Sequence, residues 1–101
     1  MSEPKKTLGG AVRIFIRNHE SSEEAVKRRF DAMVTADSPE ELANHLRGIV
    51  QLLKSDSIPL DYPRLAEELF KFQFSELRDG IRLRWGQDYF SVRKDEENED
   101  K

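Results

Sequence analysis

The chain has 101 residues, a length that supports one domain with a small core. Hydrophobic and charged residues each make up 37%, and there is no cysteine, which excludes a disulfide framework, a thiolate nucleophile and a cysteine-bound zinc site. No apolar run is long enough for a signal peptide or a membrane span, so we expect a soluble, cytoplasmic protein without membrane contact.

The net charge of −3 comes from the C-terminal end. Residues 95–101, DEENEDK, hold five acids and one lysine, so the other 94 residues carry 16 cations and 15 acids. Ten of the 17 cations are arginine, whose planar fork suits phosphate and carboxylate. We predict one helical domain over 1–94 and a disordered, solubilising acidic tail over 95–101. An autoinhibitory tail that covers a cationic face is the alternative.

Two helices are predicted in the first third of the chain. The first runs from about Lys6 to Arg17, and the second from Ser22 or Glu23 to Thr35. Both have an apolar stripe at helical spacing. The stripes consist of Leu8, Val12, Phe15 and Ile16 in the first helix and Val26, Phe30, Met33 and Val34 in the second.

The third helix has the clearest start signal. Ser38 is predicted as its N-cap, Pro39 as its first residue and Glu41 as the third residue of a capping box. The helix is expected to end near Lys54. Its apolar stripe consists of Leu42, Leu46, Ile49, Val50 and Leu53.

The last two helices follow a break after Lys54. Asp61 is predicted to cap the fourth, and Ser75 the fifth, which is expected to end near Val92. The connections are short and no window alternates apolar and polar residues, so we predict a compact all-α bundle of about five helices. Trp85 and Tyr89 are expected in its core, because so small a bundle needs its large aromatic side chains inside.

Cations recur on the polar faces of these helices. Helical residues advance by about 100°, so Lys27, Arg28 and Arg29 cannot share one face, but Arg28 and Arg29 can share an edge. Cationic stripes on several helices can form a groove that follows a phosphate backbone. A solvated polar surface or a protein-interaction module explains the same spacing. The further stripes contain Lys6, Arg13 and Arg17; Arg47 and Lys54; and Arg78, Arg82 and Arg93.

Catalysis finds little support in the sequence. His19 and His45 lack the spacing of metal ligands, and His19 is expected to be exposed. The adjacent acids Glu67 and Glu68 are interpreted as surface charges, and Arg84 and Asp88 as an ion pair at i, i+4. We therefore expect no enzyme, no metal site and no cofactor.

Four segments in succession resemble a known family. They are EEAVKRRFDAMVTAD, HLRGIVQLL, IPLDYPRLAEELFKFQ and RLRWGQDYF, and together they are similar to the C-terminal part of the CasB family over about Thr7 to Phe90. The resemblance implies a non-catalytic, all-α small subunit of the Cascade complex in type I CRISPR–Cas immunity. It also implies several copies, crRNA and target DNA as partners, and contact with the backbone and large subunits of the complex.

The resemblance also points to particular residues. Arg29 and Arg47 match family positions associated with nucleic-acid contact, and Arg28 lies beside the first of them. Four more candidates follow from the cationic stripes alone: Arg13, Arg17, Lys54 and Arg82. Family members have a further N-terminal helical region that this chain does not contain, and both a naturally short form and a piece of a longer subunit fit this difference. A helical adaptor that binds only protein is the rival hypothesis.

Overall fold

The computed structural model describes the backbone of residues 5–99 and the side chains of residues 5–90. Within this range it contains five α-helices and no strand, which confirms the predicted all-α bundle. A short 3₁₀ turn, Glu20–Ser22, separates the first two helices. The helices are α1 (Leu8–Asn18), α2 (Glu23–Val34), α3 (Pro39–Ser55), α4 (Tyr62–Phe72) and α5 (Ser75–Glu99).

The fifth helix is predicted to end near Val92, but α5 continues to Glu99 and so includes the first five residues of the predicted tail. Residues 100 and 101 lie outside the described residues, so the disorder of the acidic end stays a prediction. The backbone before α1 pairs with the segment before α4. Lys6 accepts a hydrogen bond from the Asp61 amide (2.9 Å) and donates one to the Pro59 carbonyl oxygen (3.0 Å). Among the described helices, none is both long and apolar enough to cross a membrane.

Side-chain caps begin three of the helices. The Ser38 hydroxyl accepts a hydrogen bond from the Glu41 amide (3.2 Å), which confirms the predicted N-cap of α3. The reciprocal bond of the predicted capping box, from the Ser38 amide to the Glu41 side chain, is not among the hydrogen bonds of these two residues. The Asp61 carboxylate accepts one from the Arg64 amide (3.1 Å) at α4, which confirms that cap too. The α1 cap is Thr7, whose hydroxyl accepts from the Gly10 amide (3.1 Å).

The predicted cap of α5 is wrong by one residue. Ser75 is the first helical residue, and the amide of Arg78 donates to the carbonyl oxygen of Phe74 (3.1 Å). Helix ends defined by hydrogen bonding often move by one residue relative to a sequence signal. The rest of the bundle is unaffected.

Helix α1 lies at the centre of the bundle and packs on α2, α3 and α5. Its approach to α5 is close at Gly9, where an added Cβ would lie only 2.7 Å from the Tyr89 backbone nitrogen. The core aromatics confirm the prediction for Trp85 and Tyr89, which are 0% and 5% exposed. Trp85 stacks on Phe72 with ring centroids 5.9 Å apart, and Tyr89 stacks on Phe30 at 5.0 Å.

A buried carboxylate joins α4 to α5. The prediction of Glu68 as a surface charge is wrong, since it is 1% exposed and lies 3.6 Å from Arg84 Nη1. Arg64 pairs with Glu68 across one turn of α4 and also with Asp88 of α5 (3.5 Å). The predicted Arg84–Asp88 pair is therefore replaced by two pairs that cross between the helices. Which acid each of these arginines pairs with depends on how α4 packs on α5.

Candidate nucleic-acid interface

The cations of α2 are held outward by the apolar residues beside them. Val26 and Phe30, one turn apart, are 5% and 4% exposed and anchor α2 to the core. Lys27, Arg28 and Arg29 lie between these anchors and are all exposed. The outward position of the three cations is thus a direct result of the helical period.

Arg28 and Arg29 line one shallow depression between α2 and α3. We call it the α2–α3 depression, and its lining is formed by Ala25, Arg28, Arg29, Ala32 and His45. A second depression next to it contains Lys27 and Arg28 together with three acids. Arg28 therefore stands on the border of a basic and a mixed surface, whereas Arg29 lines only the basic one. The acids are Glu23, Glu24 and Asp31.

The guanidinium of Arg29 lies against the backbone of α3. A Cβ placed on Gly48 would come within 2.7 Å of Arg29 Nη1, so the guanidinium occupies space that any other residue would fill. Gly48 stands three residues after His45, on the same side of α3. The structure thus joins Arg29 to a part of α3 that the sequence did not single out.

Arg47 and Lys54 lie on the exposed surface of α3. They are seven residues apart and so share a face of the helix. Arg47 lies about 100° around α3 from its neighbour Gly48, and it does not line the α2–α3 depression. The structure brings Arg28 and Arg29 together but gives Arg47 and Lys54 a separate exposed surface.

These four cations have no carboxylate partner within the described residues. The ion pairs and side-chain hydrogen bonds there involve other cations. Unpaired, exposed guanidinium and ammonium groups can bind an external anion without first breaking an internal contact. The four are Arg28, Arg29, Arg47 and Lys54.

Two of the other candidates have contacts inside the protein. Arg13 lies over the ring of Tyr89, with its guanidinium carbon 5.4 Å from the ring centroid, and donates to the Tyr89 hydroxyl (3.3 Å). Arg82 donates to the carbonyl oxygen of Ala36 just beyond α2 and pairs with Asp79 (3.0 Å). These contacts give both arginines a structural role. Arg17 is exposed in the last turn of α1.

The two histidines take different positions. His19, expected to be exposed, is half-buried because it stacks on Phe15 (centroids 4.3 Å apart) and hydrogen-bonds Asp56 (2.9 Å). The hydrogen bond with His19, followed by that from Asn18, lowers the pKa of the Asp56 carboxyl below its ordinary 3.8. Among the described residues, no group of three or more His, Cys, Asp or Glu side chains could hold a metal ion.

Comparison with known proteins identifies the family. The sequence model of the family described as CRISPR-associated protein Cse2 matches residues 1–90. The crystal structure of CasB from Thermobifida fusca is similar in fold, with a TM-score of 0.75 and 36% sequence identity over 88% of this chain. The alignment covers 50% of the CasB chain, so this protein spans about half its length. No curated protein matches the sequence. The chain belongs to the CasB (Cse2) family of CRISPR-associated proteins.

Proposed function

We propose that the chain is a non-catalytic small subunit of a Cascade complex in the cytoplasm. In this role it binds the nucleic-acid backbone, without reading sequence, where crRNA pairs with target DNA and where the displaced strand lies. Its protein partners are the backbone and large subunits and further copies of itself. Family membership supports the complex, and the unpaired cations of α2 and α3 support the nucleic-acid contact.

Exposed arginine and lysine side chains suit contacts with backbone phosphate. Arginine binds phosphate oxygens with a planar fork, and such contacts position a strand without carrying sequence information. In an RNA-guided complex, base pairing reads the sequence, so a backbone-binding subunit is sufficient. Helices α2 and α3 supply a rigid scaffold, since their apolar stripes are buried in one core.

The proposed contact residues fall into two groups. Arg28, Arg29, Arg47 and Lys54 are the principal group, because they are exposed and lack a carboxylate partner in the described part of the chain. The second group comes from the cationic stripes and contributes less, since two of its members already contact core groups. This group consists of Arg13, Arg17 and Arg82.

A helical protein adaptor is the second candidate function. Several large apolar side chains of α4, α5 and the connection between them are about half exposed, and such groups are typical of surfaces that contact other proteins. They also fit a subunit that is held in a larger assembly. The residues are Tyr62, Phe70, Phe74, Leu77, Leu83 and Phe90.

A pull-down under nuclease treatment separates the two functions. The tagged chain is expressed with the other Cascade subunits and a CRISPR array, purified with and without nuclease, and its bound RNA is sequenced. The proposed function predicts the other subunits together with guide RNA that the complex protects. Recovery of protein partners without guide RNA would support the adaptor and contradict the proposal. Cells without the array provide the control.

A further inference from the structure

We infer that the α2–α3 depression binds one backbone phosphate through Arg28, Arg29 and His45, and that Gly48 positions Arg29 for this contact. The inference rests on the proposed function and locates one contact point within it. His45 and Gly48 carry no charge signal in the sequence. They become relevant because α3 places them beside the α2 arginines.

The backbone conformation at Gly48 does not require glycine. It lies in the interior of α3, a helix of 17 residues, and no described glycine has a positive φ angle. Glycine is unfavourable in a helix interior because it loses more conformational freedom on folding than alanine. What the missing side chain provides is space for the Arg29 guanidinium, whose Nη1 lies 2.7 Å from the position of a Cβ.

The depression has a positively charged lining, although most of its surface is apolar. Arg28 and Arg29 stand on the α2 side and His45 on the α3 side, and none of the five lining residues is acidic. The neighbouring depression on α2, in contrast, has three acids and two cations among its five lining residues, and its net negative charge is less favourable for an anion. Ala25 and Ala32 have only methyl side chains, so the arginines are not covered.

The donor groups match a phosphodiester. Each guanidinium presents several N–H donors to phosphate oxygens, and the imidazole adds at least one more. The phosphodiester group is common to RNA and DNA, so the depression accepts a segment of either backbone. Arg47 is outside the depression and would contact a different phosphate of the same strand.

Gly48→Ala tests the positioning role without damage to the fold. The new Cβ would displace only the far end of a flexible side chain, and alanine favours the helix. We expect the thermal midpoint to stay or rise. Affinity for a short oligothymidylate should fall about fivefold at roughly 0.1 M salt, because one single-strand phosphate contact contributes about 0.7 to the salt slope.

Gly80→Ala is the matched control. Gly80 also lies inside a helix, and a Cβ added there meets no described atom within 4 Å. The thermal midpoint should rise and the affinity should be unchanged.

His45→Gln, which keeps an N–H donor, should retain more affinity than His45→Ala.

The decisive experiment is a double-mutant cycle of Arg29→Ala and Gly48→Ala in the full chain. Each variant is titrated with oligothymidylate, and NMR follows the Gly48 amide and the His45 ring. In the Arg29→Ala background, Gly48→Ala should cause no further loss of affinity. An equal loss in both backgrounds, wild-type affinity in Gly48→Ala, or the absence of shifts at Gly48 and His45 would overturn the inference. None of these results would contradict the proposed function, which is tested separately by the guide RNA recovered with the complex.

Discussion

The indole N–H of Trp85 donates a hydrogen bond to the carboxylate of Glu68 over 2.9 Å, and both side chains are fully buried. The second carboxylate oxygen lies 3.4 Å from Arg64 Nε and 3.6 Å from Arg84 Nη1. A buried charge is tolerated only when it is paired and hydrogen-bonded. This cluster therefore fixes how α4 packs on α5, and the other buried side chains among the described residues are hydrophobic.

Glu68→Ala should lower the free energy of unfolding by about 3 kcal/mol, because it removes the Trp85 acceptor and leaves two guanidinium groups without their buried partner. Urea unfolding measures the change. Glu67→Ala is the matched control, since Glu67 is 60% exposed and its ion pairs are longer. For that variant we expect the free energy of unfolding to decrease by less than about 0.5 kcal/mol. Similar effects of the two substitutions would contradict the structural role of Glu68.

The contact between α1 and α5 depends on Gly9. A Cβ at this position would press on the Trp85 carbonyl oxygen and the Tyr89 nitrogen, which are backbone atoms that cannot turn aside. Gly9→Ala should therefore destabilise the fold by about 2 kcal/mol, as overpacking does.

Gly86→Ala provides the comparison for Gly9→Ala in thermal unfolding. Gly86 lies on α5, where an added Cβ meets no described atom within 4 Å. This substitution should stabilise the protein by about 0.5 to 1 kcal/mol through helix propensity alone. A neutral or favourable Gly9→Ala would show that the two helices are not in backbone contact.

Asp56 should make stability depend on pH in the acid range. Its pKa is lowered in the folded state by the hydrogen bonds with His19 and Asn18, in that order. A lowered folded-state pKa contributes stability above the unfolded value, 3.8, and this contribution is lost as the pH falls through the folded value. The wild type should thus exceed Asp56→Asn in unfolding free energy at neutral pH and lose that advantage in acid. Urea unfolding of both proteins across this pH range checks the prediction. If the difference between their unfolding free energies did not vary with pH, the role of Asp56 would be contradicted.

Arg82 should matter for stability more than for binding. Its guanidinium donates to the Ala36 carbonyl oxygen and pairs with Asp79, so Arg82→Ala should cost about 1 to 2 kcal/mol of unfolding free energy. Arg28→Ala, at an exposed position without a described partner, should be nearly neutral in stability and weaken DNA binding. Thermal unfolding and DNA titration of both variants separate the two roles. A larger binding defect in Arg82→Ala than in Arg28→Ala would reverse the assignment.

The sequence was most informative where the cause of a structure is local. The caps at Ser38 and Asp61 depend on groups within three residues, and both were predicted. The positions of Val26 and Phe30 follow from the helical period in the same way. Glu68 was misread because its burial depends on α5, which contributes Trp85 from 17 residues further along the chain.

The candidate site also combines features with a local cause and features that depend on how the helices pack. The helical period was sufficient to place Arg28 and Arg29 on one edge of α2. It could not show that Arg29 lies against Gly48 or that His45 shares its depression, because both depend on how α2 and α3 are rotated against each other. The internal contacts of Arg13 likewise become visible only in three dimensions.

The most direct test of the central claim is the salt dependence of target-DNA binding by the assembled complex with Arg29→Ala and Arg47→Ala combined. If both residues contact phosphate, affinity should fall for every target sequence, and the slope of log K against log salt should shrink by about 0.7 to 0.9 per lost contact. Lys71→Ala removes a cation that pairs with Glu67 on α4, and it should leave the slope unchanged. Unchanged affinity and slope in the double variant would contradict the account.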